Sequence, residues 1–140
     1  MILLDTNVVS EVIKARPDPM VARWLAGRAT DDVYVSAVTE AELRFGVALL
    51  PEGRRRAALA DAIEGLMRKD FVGRILPFDS DAAVEYAALA ASRRLAGRPI
   101  SVPDAQIAAI ARARGAVLAT RNVADFERSG IEIIDPWTGG

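Results

Sequence analysis

Apolar residues fall along this chain in alternating short runs and helical stripes. Met1-Ile2-Leu3-Leu4 is an unbroken apolar run closed by Asp5, which reads as a strand buried on both faces. Thr6 to Lys14 then carries Val8, Val9 and Val12 at helical spacing, until Arg16-Pro17-Asp18-Pro19 breaks the helix. A second helix starts at Asp18 or Pro19 and runs to about Gly27. Asp32–Ser36 reads as a strand, and Ala37 to Leu50 as a helix stopped by Pro51 and Gly53. Arg54 to Asp70 is a further helix with Leu59, Ile63, Leu66 and Met67 as its apolar positions. Arg74–Phe78 is a short strand whose proline suits a sheet edge. An alanine-rich helix follows from Asp81 to Leu95, and another opens at Ser101-Val102-Pro103 and ends at Gly115. Ala116–Thr120 and Ile131–Ile134 complete the strands.

Strands alternating with helices, with no repeat or linker between them, predict a single domain spanning residues 1–140. The expected fold is a three-layer α/β/α sandwich around a mostly parallel sheet, whose sites form beyond the carboxyl ends of the strands. Asp5 would stand at such an end, where burying a lone carboxylate costs several kcal/mol.

Three acids lie in register with apolar stripes. Asp5 precedes Val8, Val9 and Val12 by three, four and seven residues; it can serve equally as an N-cap, and the two roles can coexist. Glu42 follows Val38 by four and precedes Phe45 and Leu49 by three and seven, which sets it on an apolar face. Thr39 and Glu42 also match a capping box, but only if the helix begins late. Glu40, four residues before Arg44, reads instead as an exposed ion pair. Asp104 heads the stripe of Ile107, Ala108 and Ala111, and its place in the first helical turn also suits the helix dipole. Three ionised carboxylates within ~4 Å would repel by about 4 kcal/mol per pair at an effective dielectric of 20. A divalent cation is the strongest candidate to relieve that.

Composition narrows the chemistry. The chain has no histidine and no cysteine, which excludes Ser-His and Cys-His catalysis, histidine acid–base pairs, disulfides and nitrogen- or sulfur-ligated zinc. Carboxylates without such ligands point to hard ions, Mg²⁺ first and Mn²⁺ as the alternative. Net charge is −1, so bulk charge does not advertise nucleic acid. Lys14 and Lys69 are the only lysines; the arginine bias suits phosphate contacts, but a GC-rich coding sequence explains it better. No stretch suggests a membrane span or a signal peptide, and a reducing cytoplasm is the expected setting. The segment Leu118 to Phe126 adds Thr120, Arg121, Asn122 and Asp125 beyond another strand end; locally it reads as a polar loop with an Asx-type turn.

Four segments in order, LDTN at the start, TEAELRFGV, PDAQIAAIA and LATRNVADF, resemble the PIN-domain nucleases, with VapC and FitB toxins as the nearest likeness. The resemblance spans Ile2 to about Trp137. It implies a Mg²⁺-dependent acidic pocket in which Asp5, Glu42 and Asp104 are the metal-binding and catalytic acids. Asn122 stands at the family's fourth catalytic position, often aspartate, so one well-bound ion is expected, with a second as the alternative if Asp125 supplies the missing charge. Thr6 and Asn7 would orient Asp5 or water, Thr120 and Asn122 would support the pocket, and Arg121 would bind substrate. Arg93, Arg94 and Arg98, or Arg54 to Arg56, are looser candidates for substrate contact. The implied reaction is hydrolysis of RNA to a 5′-phosphate and a 3′-hydroxyl. The implied partners are a cognate antitoxin whose C-terminal segment enters the groove, a second copy in a homodimer or larger assembly, and promoter DNA reached through the antitoxin.

Two other functions compete. Strand-like Ile75 to Phe78 leading into Asp79-Ser80-Asp81 suggests a haloacid-dehalogenase-type phosphatase. No lysine follows Asp81, so helix capping by Asp79 or Ser80 explains the stretch better. A phospho-receiver fails for the same reason. A non-catalytic PIN-like module, acting through an antitoxin, rests on Asn122.

Overall fold

In the computed structural model, which describes residues 1–139, every apolar run predicted as a strand joins one sheet. The strands are β1 (Ile2–Leu4), β2 (Val33–Ser36), β3 (Ile75–Leu76), β4 (Val117–Ala119) and β5 (Ile133–Ile134), all parallel in the order β3-β2-β1-β4-β5. β3 is an edge strand, as expected from its proline, and it stops at Leu76 just before Pro77. Arg74 secures that edge by donating to the carbonyls of Thr30, Val33 and Asp70 while stacking on the Phe71 ring.

The helices are α1 (Thr6–Val12), α2 (Pro19–Ala26), α3 (Ala37–Ala48), α4 (Arg54–Gly65), α5 (Ser80–Leu95), α6 (Val102–Arg114) and α7 (Val123–Phe126). Alternate faces of the central strands feed two cores. Ile2, Leu4, Val33 and Val35 pack with Val8, Val9, Val21, Trp24, Leu43, Ile63 and Met67 from α1 to α4 and the turn after it. Leu3 and Leu118 pack on the other face with Ala82, Leu89, Ile107, Ile110 and Phe126. This is the three-layer sandwich expected from the alternation of elements.

Helix boundaries follow local chemistry. Ser36 caps α3 by accepting from the Thr39 amide at 3.0 Å, so the helix starts at Ala37 and the late-starting capping box does not form. Asp79 caps α5 through the Ala82 amide at 3.0 Å, the role that disposed of the phosphatase motif. Gly115 ends α6 at φ 64°, a left-handed turn that glycine adopts without a Cβ penalty.

Three expectations need correction. The helix read as continuous from Arg54 to Asp70 ends at Gly65 and widens into a π-turn over Leu66–Asp70, which brings Met67 and Phe71 into the core. The segment after Thr120 is more than a loop, because burial of Phe126 folds α7. Two of Glu42's three apolar neighbours do not face the core: Phe45 is 65% and Leu49 69% exposed, whereas Val38 packs half-buried against it, and Thr39 and Leu43 are the buried positions. The spacing marked a real apolar ridge, but packing of α3 on α1 and α4 selects the adjacent stripe.

Candidate active site

Parallel pairing sets the site. Leu4 of β1 lies beside Ala119 of β4, and the Asp5 amide donates to the Ala119 carbonyl at 2.9 Å. Asp5 and Thr120, the next residues on the two strands, therefore emerge together, and the Thr120 hydroxyl donates to Asp5 Oδ2 at 2.7 Å. Asp5 Oδ1 accepts from the Thr6 amide at 2.8 Å as the N-cap of α1, so capping and a place at the strand end coexist. Asp5 is only 3% exposed.

Thr6 extends the network across to α3. Its hydroxyl donates to Glu42 Oε1 at 2.7 Å and lies 3.0 Å from the hydroxyl of Thr39. Glu42, though exposed, is thereby tied to the first turn of α1 beside Asp5. Asn7 braces the opposite side: its amide nitrogen donates to Thr120 Oγ1 at 3.3 Å, and its Oδ1 accepts from the Arg121 amide at 3.4 Å. The Asn122 amide donates to the same Thr120 oxygen at 3.0 Å. One buried threonine thus joins β4, α1 and the segment leading into α7.

Asp104 enters from the start of α6, where Ser101 caps the helix. With Asp125, Ser101 and Arg93 it lines a hollow of about 220 Å³. Glu42 and Thr6 open on the other side into a groove of about 450 Å³ between α1, α3 and α4, bordered by Ile13, Leu50, Leu59 and the cations Lys14 and Arg55.

Electrostatics link the acids. Burial raises the Asp5 carboxyl to about 6, against the braces from Thr120 and Thr6, and the charges of Asp104 and Glu42 push it further in the same direction. Burial also raises Asp104, partly offset by Ser101 and reinforced by Asp125. The acids are close enough to feel one another, yet among the described residues no three acidic side chains form a group able to hold an ion. They are spread more widely than the tight convergence expected from sequence. Such a donor set still fits Mg²⁺, which takes oxygen ligands, keeps several waters and is usually bound through one or two carboxylates plus substrate phosphate.

The remaining sequence candidates divide. Glu40 pairs with Arg44 at 2.9 Å, but Arg44 also reaches Glu64 of α4 at 2.8 Å, so the pair is an interhelical clasp and not an isolated surface contact. Arg93 is likewise structural, donating to the carbonyls of Arg98, Asp125 and Glu127. Glu11 and Trp137 were not among the sequence candidates, and Thr39 was one only for a helix cap. Thr39 is a buried partner of Thr6, and Trp137 lies under the Arg121 guanidinium at 5.0 Å. The four-residue spacing of Asn7 and Glu11 on one helix was an available signal for Glu11; nothing local pointed to Trp137.

Fold and site together define a class: a three-layer α/β protein with an all-oxygen, acidic site over the carboxyl ends of its two central strands. The PIN domain description matches residues 2–130. The chain is 46% identical to VapC ribonuclease Y4jK of Sinorhizobium fredii and 41% identical to toxin FitB of Neisseria gonorrhoeae. Each comparison covers 98% of this chain, with 98% and 99% of the respective relative. The solved structure of FitAB bound to an IR36 DNA fragment superposes with a TM-score of 0.90 at 40% identity, covering 98% of this chain and 96% of that one. The chain belongs to the PIN-domain family, among its VapC- and FitB-type members, as the four sequence segments implied.

Proposed function

We propose that this protein is a metal-dependent endoribonuclease toxin that hydrolyses RNA phosphodiester bonds and is held inactive by a cognate antitoxin. The observation that carries this reading is Asp5, a carboxylate between β1 and α1 that is braced on both oxygens and raised to about 6 chiefly by burial, with a smaller push from the charges of Asp104 and Glu42. Such an arrangement is costly for the empty fold and useful to a cation. Likeness to a named ribonuclease supports RNA as substrate. Likeness to a named toxin and to FitAB on DNA supports a protein partner, with promoter DNA reached through it.

Asp5, Glu42 and Asp104 would hold Mg²⁺ (Mn²⁺ as the alternative). When bound, the ion supplies charge neutralisation at the phosphate and makes water a better nucleophile at neutral pH. The chain's own residues do the positioning. Thr120 and the Thr6 amide fix the Asp5 carboxylate, and the Thr6 hydroxyl orients Glu42. Asn7 ties Thr120 to the Arg121 backbone, keeping the two strand ends in register. Arg121 and Asn122 stand exposed where a phosphate backbone would pass. A homodimer acting in the cytoplasm completes the proposal.

A mixed RNA pool with Mg²⁺ tests it. Cleavage should stop in EDTA and return with added Mg²⁺. Asp5→Asn and Asp104→Asn should each abolish cleavage, a loss of at least about a hundredfold, while the circular dichroism spectrum stays that of the parent. Glu40→Gln should retain cleavage within a few-fold. Unchanged cleavage by Asp5→Asn would remove the assignment. The second reading, a non-catalytic module, draws on the neutral Asn122, and persistent inactivity of the parent with Mg²⁺ and Mn²⁺ would favour it.

A further inference from the structure

Trp137 lies outside the acidic pocket, in a short 3₁₀ turn over Pro136–Thr138 near the end of the chain. Its backbone is fixed: the Trp137 amide donates to Asp135 Oδ1 at 2.9 Å, and the Thr138 hydroxyl donates to the Asp135 carbonyl at 3.0 Å. The ring is partly buried against the core that contains β1, α1 and α2. On it rests the Arg121 guanidinium, 5.0 Å from the ring centroid. The Arg121 backbone is held independently, its amide donating to Asn7 Oδ1 at 3.4 Å. Asn7 and Glu11 are one turn apart on α1, and Glu11, already engaged by Lys14 at 2.9 Å and the Asp18 amide at 3.0 Å, also feels the Arg121 charge.

We infer that Trp137 is a positioning residue: it holds the Arg121 guanidinium over its ring beside the acidic pocket, so that the N–H donors grip an RNA phosphate neighbouring the one cleaved. This rests on the nuclease reading for its substrate class.

A cation–π contact with an aromatic ring occupies none of a guanidinium's N–H donors with an acceptor, which leaves them for a phosphate whose oxygens suit a two-point contact. An exposed arginine otherwise loses rotamer freedom on gripping a ligand, and the ring removes part of that cost beforehand. Net charge is −1, so RNA must be retained by local cations of this kind. Asp5 is fixed by Thr120, and Arg121 is the next residue on the same backbone, which sets the distance between the pocket and the grip.

The test is a double-mutant cycle read by binding and by cleavage. Fluorescence anisotropy of a mixed-sequence oligoribonucleotide in EDTA measures binding without turnover. Trp137→Ala should weaken it about fivefold, equivalent to roughly 1 kcal/mol. Trp137→Phe, which keeps a ring face, should stay within about twofold of the parent. Arg121→Gln should weaken binding at least as much as Trp137→Ala, and adding Trp137→Ala to it should cost nothing further. In cleavage assays with Mg²⁺, Trp137→Ala should raise KM with kcat within about twofold, the pattern of lost substrate binding. Should Trp137→Ala fail to fold, Trp137→Leu, which fills much of the same space but has no ring face, takes its place in the cycle and should weaken binding to a similar extent.

Full additivity of the two substitutions, or parental binding by Trp137→Ala, overturns the inference. Active parent with unchanged Trp137→Ala binding removes the grip and leaves the nuclease. A coupled pair in a chain that never cleaves RNA removes the nuclease and leaves the grip.

Discussion

At the scale of single residues, Asp5 shows how a site can work against its own fold. Its carboxyl titrates near 6 in the folded chain against an ordinary 3.8, so the folded state binds that proton more tightly than the unfolded state does. Stability from this group is fully present below pH 3.8 and is lost as pH rises through about 6. At about 1.4 kcal/mol per tenfold in proton affinity, the loss is on the order of 3 kcal/mol. Asp104, also raised by burial, acts in the same direction. In metal-free protein, the melting temperature of the parent should fall between about pH 4 and pH 7 more steeply than that of Asp5→Asn. Added Mg²⁺ should close the gap near neutral pH, because a ligand that binds only the folded state stabilises it. Parallel melting curves for parent and variant across that range would remove Asp5 as the source of strain.

Among the elements, the segment from Thr120 to Glu127 carries several candidate groups but has little secondary structure of its own. Asn122 caps α7 without a side-chain hydrogen bond, and α7 spans only Val123–Phe126. Two anchors hold it: Phe126, fully buried in the core under α5 and α6, and Arg93 of α5, which donates to the carbonyls of Asp125 at 2.9 Å and Glu127 at 3.3 Å. Arg93→Ala should therefore accelerate amide hydrogen exchange across residues 122–129 by about tenfold while leaving β1 and α1 protected. A change confined to α5 itself would show that the arginine serves only its own helix. On α3, one helix serves two surfaces: Thr39 and Leu43 face inward, while Phe45 and Leu49 form an exposed apolar ridge beside Glu42.

At the scale of the whole molecule, the near-neutral charge makes a prediction about the proposed substrate. Single-stranded nucleic acid gives a salt dependence of about −0.7 per phosphate neutralised. A chain of net charge −1 that relies on Arg121 and a few neighbours should show a slope of about −1 to −2 in log affinity against log salt for an oligoribonucleotide. A slope near −5 would mean an extended basic track, for which no bulk excess of cations exists. The fold has no helix among the described residues long and apolar enough to cross a membrane.

Much of this was legible in the order of residues alone. Periodicity placed the strands and the long helices, Pro77 marked an edge, Asp79 announced a cap, and the run ending at Asp5 identified a carboxylate at a strand end. These are local matters, settled by backbone sterics, hydrogen bonding and the spacing of apolar side chains within a few residues. Apolar stripes marked Glu42 and Asp104 less distinctly. Phe45 and Leu49 proved exposed, and α6 is buried from Ala105 to Ala111 almost all round, so being in line with its apolar positions distinguished little. Only tertiary structure decided that Thr120 braces Asp5, that Thr6 reaches Glu42, that Arg93 is a structural pin and that Arg121 lies on Trp137. Those contacts join residues far apart in the chain, and their partners are chosen by parallel strand register and helix packing, which no local spacing encodes.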